Sequence, residues 1–199
     1  MIKADVIEFF DRLAPDWDAR MLRDDQIIGR ILDNAGVKTG VRVLDVGCGT
    51  GVLFPDYLGR EVNHITGIDI SAVMTGIATK KFGKNPKIDI VTGDAETILL
   101  EDTFDSIVIY NAFPHFPDQE KLIRHLSALL APGGILTVAH GMSRDKIDCH
   151  HTGTASKVSI GLMSAHKLSE MFSRYLDVCA VISDDEMYQV AGKKRINEL

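Results

Sequence analysis

Ile2, Val6, Phe9, Phe10 and Leu13 recur at helical spacing, so the chain opens on an amphipathic helix that Pro15 brings to an end. Ile27, Ile28, Ile31 and Leu32 mark a second helix, closed by Asn34-Ala35-Gly36, a composition suited to a left-handed cap. From Val41 onward the period changes. Val41–Val46 reads as a buried strand that runs into Gly47-Cys48-Gly49-Thr50-Gly51 and a short helix reaching Leu58. Val62–Ile70 is a second strand, and Ser71 is the expected N-cap of a helix that reaches Phe82. Lys87–Val91 and the near-continuous Ile/Val of Phe104–Tyr110 supply strands three and four. Gln119–Leu130 is helical, Ala131-Pro132-Gly133-Gly134 a turn, and Ile135–His140 the fifth strand. Residues 141–163 show no period; Ser164–Tyr175 is a helix, and Leu176–Ile182 and Met187–Lys193 are the last strands.

Strands alternating with helices predict a mostly parallel α/β sheet with helices on both faces. Only Ser183-Asp184-Asp185-Glu186 separates the last two strands, too few residues for a crossover, so that pair is antiparallel. The expectation is a Rossmann-like, doubly wound, seven-stranded sheet with one antiparallel strand at its edge. With 199 residues and no linker, charge block or repeat, the chain reads as one domain. Its parts are a helical cap (1–40), a ligand-binding core (41–140), an insertion (141–163), and a C-terminal helix with two strands (164–199).

The net charge of −6 argues against a nucleic-acid partner that needs a basic face. No apolar run is long enough to predict a membrane span, and the start, with Asp5 and no apolar core, is unlike a secretory signal. Three dispersed cysteines (Cys48, Cys149, Cys179) with no CxxC pair suit a reducing, cytoplasmic setting.

Ligands of such sheets bind at the carboxyl ends of the strands. The first strand ends in Asp45 and three glycines within five residues, which permit positive φ and close approach of the backbone to a ligand. Asp69 lies 20 residues past Gly49, at the end of the second strand, where an acid would hold ribose hydroxyls. No Lys follows the glycines, so this is no Walker loop, and Val52 stands where a GxGxxG fingerprint needs glycine. Asp45 is also misplaced for a pyrophosphate, which wants positive potential. An adenosyl ligand with an ammonium-bearing tail suits it better.

The segments LDVGCGTG (Leu44–Gly51), GIDIS (Gly67–Ser71), GDAE (Gly93–Glu96) and APGG (Ala131–Gly134) resemble, in order, the motifs of class I S-adenosylmethionine-dependent methyltransferases. The likeness covers about residues 41–140. In addition, FFDRLAPDWD (Phe9–Asp18) is similar to the cap helix of small-molecule members, and YQVAGKK (Tyr188–Lys194) to their last strand. The resemblance implies that Asp45, Gly47, Cys48, Gly49 and Gly51 surround the methionine tail of the cofactor. It implies that Asp69 takes both ribose hydroxyls, that Ile70 packs on the adenine, and that Asp94 and Ala95 meet the adenine edge. It places Asn111 beside the sulfonium, while Trp17 is divided between anchoring the cap and touching the cofactor. Asn111-Ala112-Phe113-Pro114 departs from the [ND]PP[YFW] of members that methylate amino groups of bases or glutamine, so those acceptors are disfavoured.

His115 follows the fourth strand and His140 ends the fifth, on the ligand-binding edge; Arg144, His150 and His151 lie in the insertion. These five are the acceptor-side candidates, able to orient or deprotonate a small molecule. A metal reading would recruit His140, Cys149, His150 and His151. Adjacent histidines rarely reach one ion and no ligand spacing supports it, so no metal is expected. The sequence thus points to methyl transfer from S-adenosylmethionine to a small-molecule acceptor, with no nucleic-acid or membrane partner. A nicotinamide-dependent oxidoreductase and a catalytically silent adenosyl-binding protein are the alternatives.

Overall fold

The computed structural model describes residues 1–151 and 157–196, with the backbone alone at 148–151. Helix α1 (Lys3–Leu13) leads through a 3-10 turn (Ala14–Asp16) into the four-residue α2 (Trp17–Arg20). Pro15 ends the α-helix as expected, yet it sits in the first turn of the next segment, where its missing N–H costs nothing. Helix α3 (Asp25–Asn34) is capped by Asp24, whose carboxylate accepts from the Gln26 and Ile27 amides.

The remaining elements are β1 (Arg42–Val46), α4 (Phe54–Gly59), β2 (His64–Asp69), α5 (Ala72–Phe82), β3 (Ile88–Thr92), β4 (Phe104–Tyr110), α6 (Gln119–Leu129), β5 (Leu130–His140), α7 (Arg144–His151), α8 (Ala165–Ser173), β6 (Asp177–Ser183) and β7 (Tyr188–Lys193). The strands form one sheet of order β3-β2-β1-β4-β5-β7-β6. β1 to β5 are parallel, and β7 runs against both β5 and β6, so the antiparallel pair makes up one edge of the sheet.

Alternation along each strand divides the core between the two faces. Leu44, Val46, Ile107 and Ile109 pack with α6 and α8. Val43 and Val108 point the other way, onto Ile28 and Leu32 of α3 and Phe54 and Tyr57 of α4. Gly67 of β2 lies where a Cβ would come within 2.5 Å of Phe54 Cζ and 3.0 Å of Cys48 Sγ. Gly67→Ala is therefore expected to destabilise the fold by about 1–3 kcal/mol, read as a lower urea midpoint at unchanged slope.

Two expectations need correction. Ala131–Gly134 does not precede the fifth strand as a turn: β5 begins at Leu130, opposite Phe104, and the register slips before Ile135 meets Ser106. The four residues bulge from a strand already paired. Residues 141–163 are not irregular throughout, because α7 occupies Arg144–His151. Only Ile147, which is buried, and Cys149 are apolar in it, which leaves too little pattern to show a helical period.

Candidate active site

β1 delivers its chain to a loop in which Gly47, Gly49 and Gly51 all take positive φ (72°, 55° and 80°). The loop folds back onto the end of β2. Gly47 and Cys48 donate their amides to the Ile68 carbonyl (2.8 and 3.0 Å), and the Gly49 amide donates to Asp69 Oδ2 (2.9 Å). Asp69 Oδ1 accepts from the Ser71 amide (2.8 Å), and the Ser71 hydroxyl in turn caps α5 through Met74 N. Each Asp69 oxygen is thus oriented by one backbone donor, with lone pairs left for a ligand.

The loop borders a cavity of about 1020 Å³, its open mouth included, at the carboxyl ends of β1, β2 and β4. Asp45, Asp69 and Asp94 all line it. Burial, reinforced by the neighbouring Asp69 charge, pushes the Asp45 carboxyl up to about 8. Asp69 is raised too, by burial first and by the Asp11 charge, against the pull of its backbone donors. Asp94 goes down despite its partial burial, because Lys3 and the Glu96 amide bond to it. With the Gly47, Cys48 and Gly49 amides consumed internally and carboxylates facing the cavity, the site is poorly suited to a pyrophosphate. The same site suits hydroxyls and an ammonium group.

The N-terminal helices close the cavity from above. Lys3 Nζ donates to Asp94 Oδ2 (2.5 Å) and to Glu96 Oε2 (2.6 Å), and the Ser71 hydroxyl donates to Asp11 (2.5 Å). Asp18 accepts from Thr50 (2.5 Å) and from Lys81 (2.8 Å). Phe10 meets Trp17 edge-on at 5.7 Å and His115 at 4.9 Å, so three aromatic rings stand together at the cavity wall. At the end of β4, Asn111 takes φ 54°, a strained value for a residue with a side chain, and its Oδ1 accepts from Gly141 N (3.1 Å).

The cavity brings together most residues singled out by sequence: Asp45, Gly47, Cys48, Gly49, Asp69, Ile70, Asp94, Ala95, Asn111, Trp17 and His115. Three others lie elsewhere. Gly51 packs beneath the loop, where a Cβ would come within 3.0 Å of Phe54 and Phe82, so its role is close packing. His140 is buried in the β5–β7 pairing with its ring on Tyr188. Arg144 Nε donates to the Leu162 carbonyl (2.9 Å) and fastens the start of α7. The side chains of Cys149, His150 and His151 lie outside the described residues. Among the described residues no group of three or more His, Cys, Asp or Glu could hold a metal ion. Lys3, Phe10, Met21 and Tyr110 also line the cavity. Sequence reasoning missed them, and only the apolar stripe of α1 hinted at Phe10.

The family profile described as a methyltransferase domain matches residues 44–138, the span from β1 into β5 that carries the loop and both acids. Over that span, just under half of the chain, the sequence matches the methyltransferase-domain family. It is 36% identical over 100 residues to a malonyl-[acyl-carrier protein] O-methyltransferase of Ilyobacter polytropus (50% of this chain, 37% of that protein). It is 30% identical over 107 residues to the ubiquinone biosynthesis O-methyltransferase of Aeromonas salmonicida (52% and 44%). The chain therefore spans well under half the length of these relatives. Among solved structures, a methyltransferase from Mesorhizobium loti superposes with TM-score 0.70 at 15% identity, covering 83% of this chain and 96% of that one. The N-methyltransferase NodS of Bradyrhizobium japonicum, in complex with S-adenosylhomocysteine, superposes with TM-score 0.65 at 18% identity (85% and 84%). Both show the shared fold.

Proposed function

We propose that the chain is an S-adenosylmethionine-dependent methyltransferase acting on a small-molecule acceptor, with the cytoplasm as its setting. The observation that carries this reading is a cavity walled by Asp45, Asp69 and Asp94 against a glycine loop whose Gly47, Cys48, Gly49 and Gly51 amides are taken up within the protein. That loop argues against the dinucleotide of an oxidoreductase. The cofactor supplies a methyl group already activated on a sulfonium, so the protein needs no nucleophile of its own. In this reading Asp45 pairs with the ammonium of the cofactor, Asp69 accepts from the two ribose hydroxyls, and Asp94 accepts from the adenine amino group. Asn111 holds the wall near the reacting centre through its tie to Gly141. Helices α1 and α2 exclude water. No helix among the described residues is long and apolar enough to cross a membrane. Sterol, quinone and acyl-carrier substrates named for the relatives are consistent with a small-molecule acceptor.

Incubation with methyl-labelled cofactor and a panel of small-molecule acceptors, read by mass spectrometry, tests the reading. Label on an acceptor is the expected result; cofactor binding without any transfer would mean a silent binding protein.

The cap gives a second expected result. Its ties to Asp94, Ser71 and Thr50 sit on the walls of the cofactor site, so a bound cofactor should hold the cap down. Hydrogen exchange of residues 2–19 is expected to slow when S-adenosylhomocysteine is added. Equal exchange with and without ligand would reject a closing cap.

A further inference from the structure

Asp45 is buried more fully than Asp69 or Asp94, the other two carboxylates that wall the cavity. The titratable groups that face it come from three elements: Asp69 at the end of β2, Cys48 in the glycine loop and Tyr57 on α4. Among the described residues no Lys or Arg is one of them. Lys3, which lines the same cavity, bonds to Asp94 and Glu96, and Arg23 bonds to Asp25 and Asp56. Burial and Asp69 both oppose a charge on Asp45. The Tyr57 hydroxyl is the neighbour that favours one.

The sheet explains why these two meet. Side chains alternate along a strand, so Asp45 shares a face of β1 with Val43. Val43 packs in the cluster that holds Phe54 and Tyr57 of α4. Tyr57 is fully buried there, and among the described residues its hydroxyl has no hydrogen-bond partner. A buried donor left without an acceptor costs stability, and a phenylalanine would fill the same space without that cost. The groups around the hydroxyl are Asp45, Asp56 and Cys48. While Asp45 keeps its proton it is a weak acceptor, whereas a carboxylate takes a short, strong bond from a hydroxyl. The donor is placed for the ionised form.

We propose that Tyr57 is a positioning residue for the cofactor: its hydroxyl donates to the Asp45 carboxylate from behind and holds it as an anion for the incoming ammonium. The inference rests on the reading of Asp45 as the partner of that ammonium. Tyr57 touches neither the ligand nor the cavity in this arrangement and acts through Asp45 alone.

The test uses the full chain and Tyr57→Phe, which keeps the ring and removes the hydroxyl. S-adenosylhomocysteine is titrated into parent and variant at pH 7 and pH 9. Without the donor, ionisation of Asp45 should move from about pH 8 to about pH 9. Affinity should then fall about tenfold at pH 7 but only about twofold at pH 9. Methylthioadenosine keeps the nucleoside and the sulfur but has no ammonium, so it should bind both chains within about twofold at either pH. The urea midpoint of the variant, measured without ligand, should be no lower than the parent's, because the hydroxyl removed has no partner. An equal loss at both pH values, no loss at either, or the same loss for methylthioadenosine would overturn the proposal. A lower urea midpoint would overturn it too, by giving the hydroxyl a part in holding the fold. A parent chain that does not bind S-adenosylhomocysteine would instead remove the reading of Asp45 on which the inference rests.

Discussion

Asp69→Ala is expected to weaken S-adenosylhomocysteine binding by about 2–4 kcal/mol, roughly 30- to 1000-fold, because two charge-assisted hydrogen bonds are lost. The structure adds a second cost. Asp69 also accepts from the Gly49 and Ser71 amides, so its removal frees the glycine loop from β2 and unties the start of α5. Asp69→Asn would retain the volume and one acceptor oxygen, and should fall between the parent and the alanine variant. Titration calorimetry on variants whose circular dichroism matches the parent measures the effect. Unchanged affinity in a folded Asp69→Ala protein would remove the acid from the site.

Asp45 should make both stability and cofactor binding depend on pH. Its carboxyl stands at about 8 in the folded, ligand-free chain, well above the ordinary 3.8. Between those values the folded state holds a proton that the unfolded state has released. Stability from this group is therefore fully present below about pH 4 and declines as pH rises through about 8. Asp45→Asn removes the decline and should leave the ligand-free protein at least about 1 kcal/mol more stable than the parent at pH 8. Binding runs the other way. An ammonium ligand favours ionised Asp45, so below pH 8 it must expel the proton, and affinity should rise with pH by up to about tenfold per unit. Calorimetry in buffers of different ionisation enthalpy reads the released proton directly. Asp45→Asn should abolish that release and most of the affinity; binding of equal strength at pH 6 and pH 8 would contradict the pairing.

The sheet was legible because its inner strands are short, near-continuous runs of Val, Ile and Leu, as strands covered on both faces are, and because Gly47–Gly51 and Asp69 sit at strand ends. The bulge at Ala131–Gly134 was not legible, since Pro and Gly read as a turn whether or not the flanking residues are already paired. Helix α7 was hidden because Arg144–His151 is polar except at Ile147 and Cys149. The cap residues at the cavity were harder still. Lys3 and Asp94 are 91 residues apart, and no local pattern announces that an N-terminal lysine will reach across the sheet edge to a carboxylate. The region after the fifth strand was expected to bring Arg144, His150 and His151 to the acceptor. Arg144 bonds the Leu162 carbonyl, the side chains of His150 and His151 lie outside the described residues, and the described contacts of the region to the turn after β4 are made by its backbone, the Val158 carbonyl on His115 and the Ile160 amide on Pro114. Periodicity carries no information about where a carbonyl will point.

The account rests on the ligand that enters between Asp45 and Asp69, and one titration tests it most directly. S-adenosylhomocysteine and a nicotinamide dinucleotide are each titrated into the purified chain at pH 8, where Asp45 can give up its proton. The account predicts saturable binding of S-adenosylhomocysteine at one site per chain, lost in Asp69→Ala, and no heat from the dinucleotide. Binding of the dinucleotide in place of S-adenosylhomocysteine would contradict it.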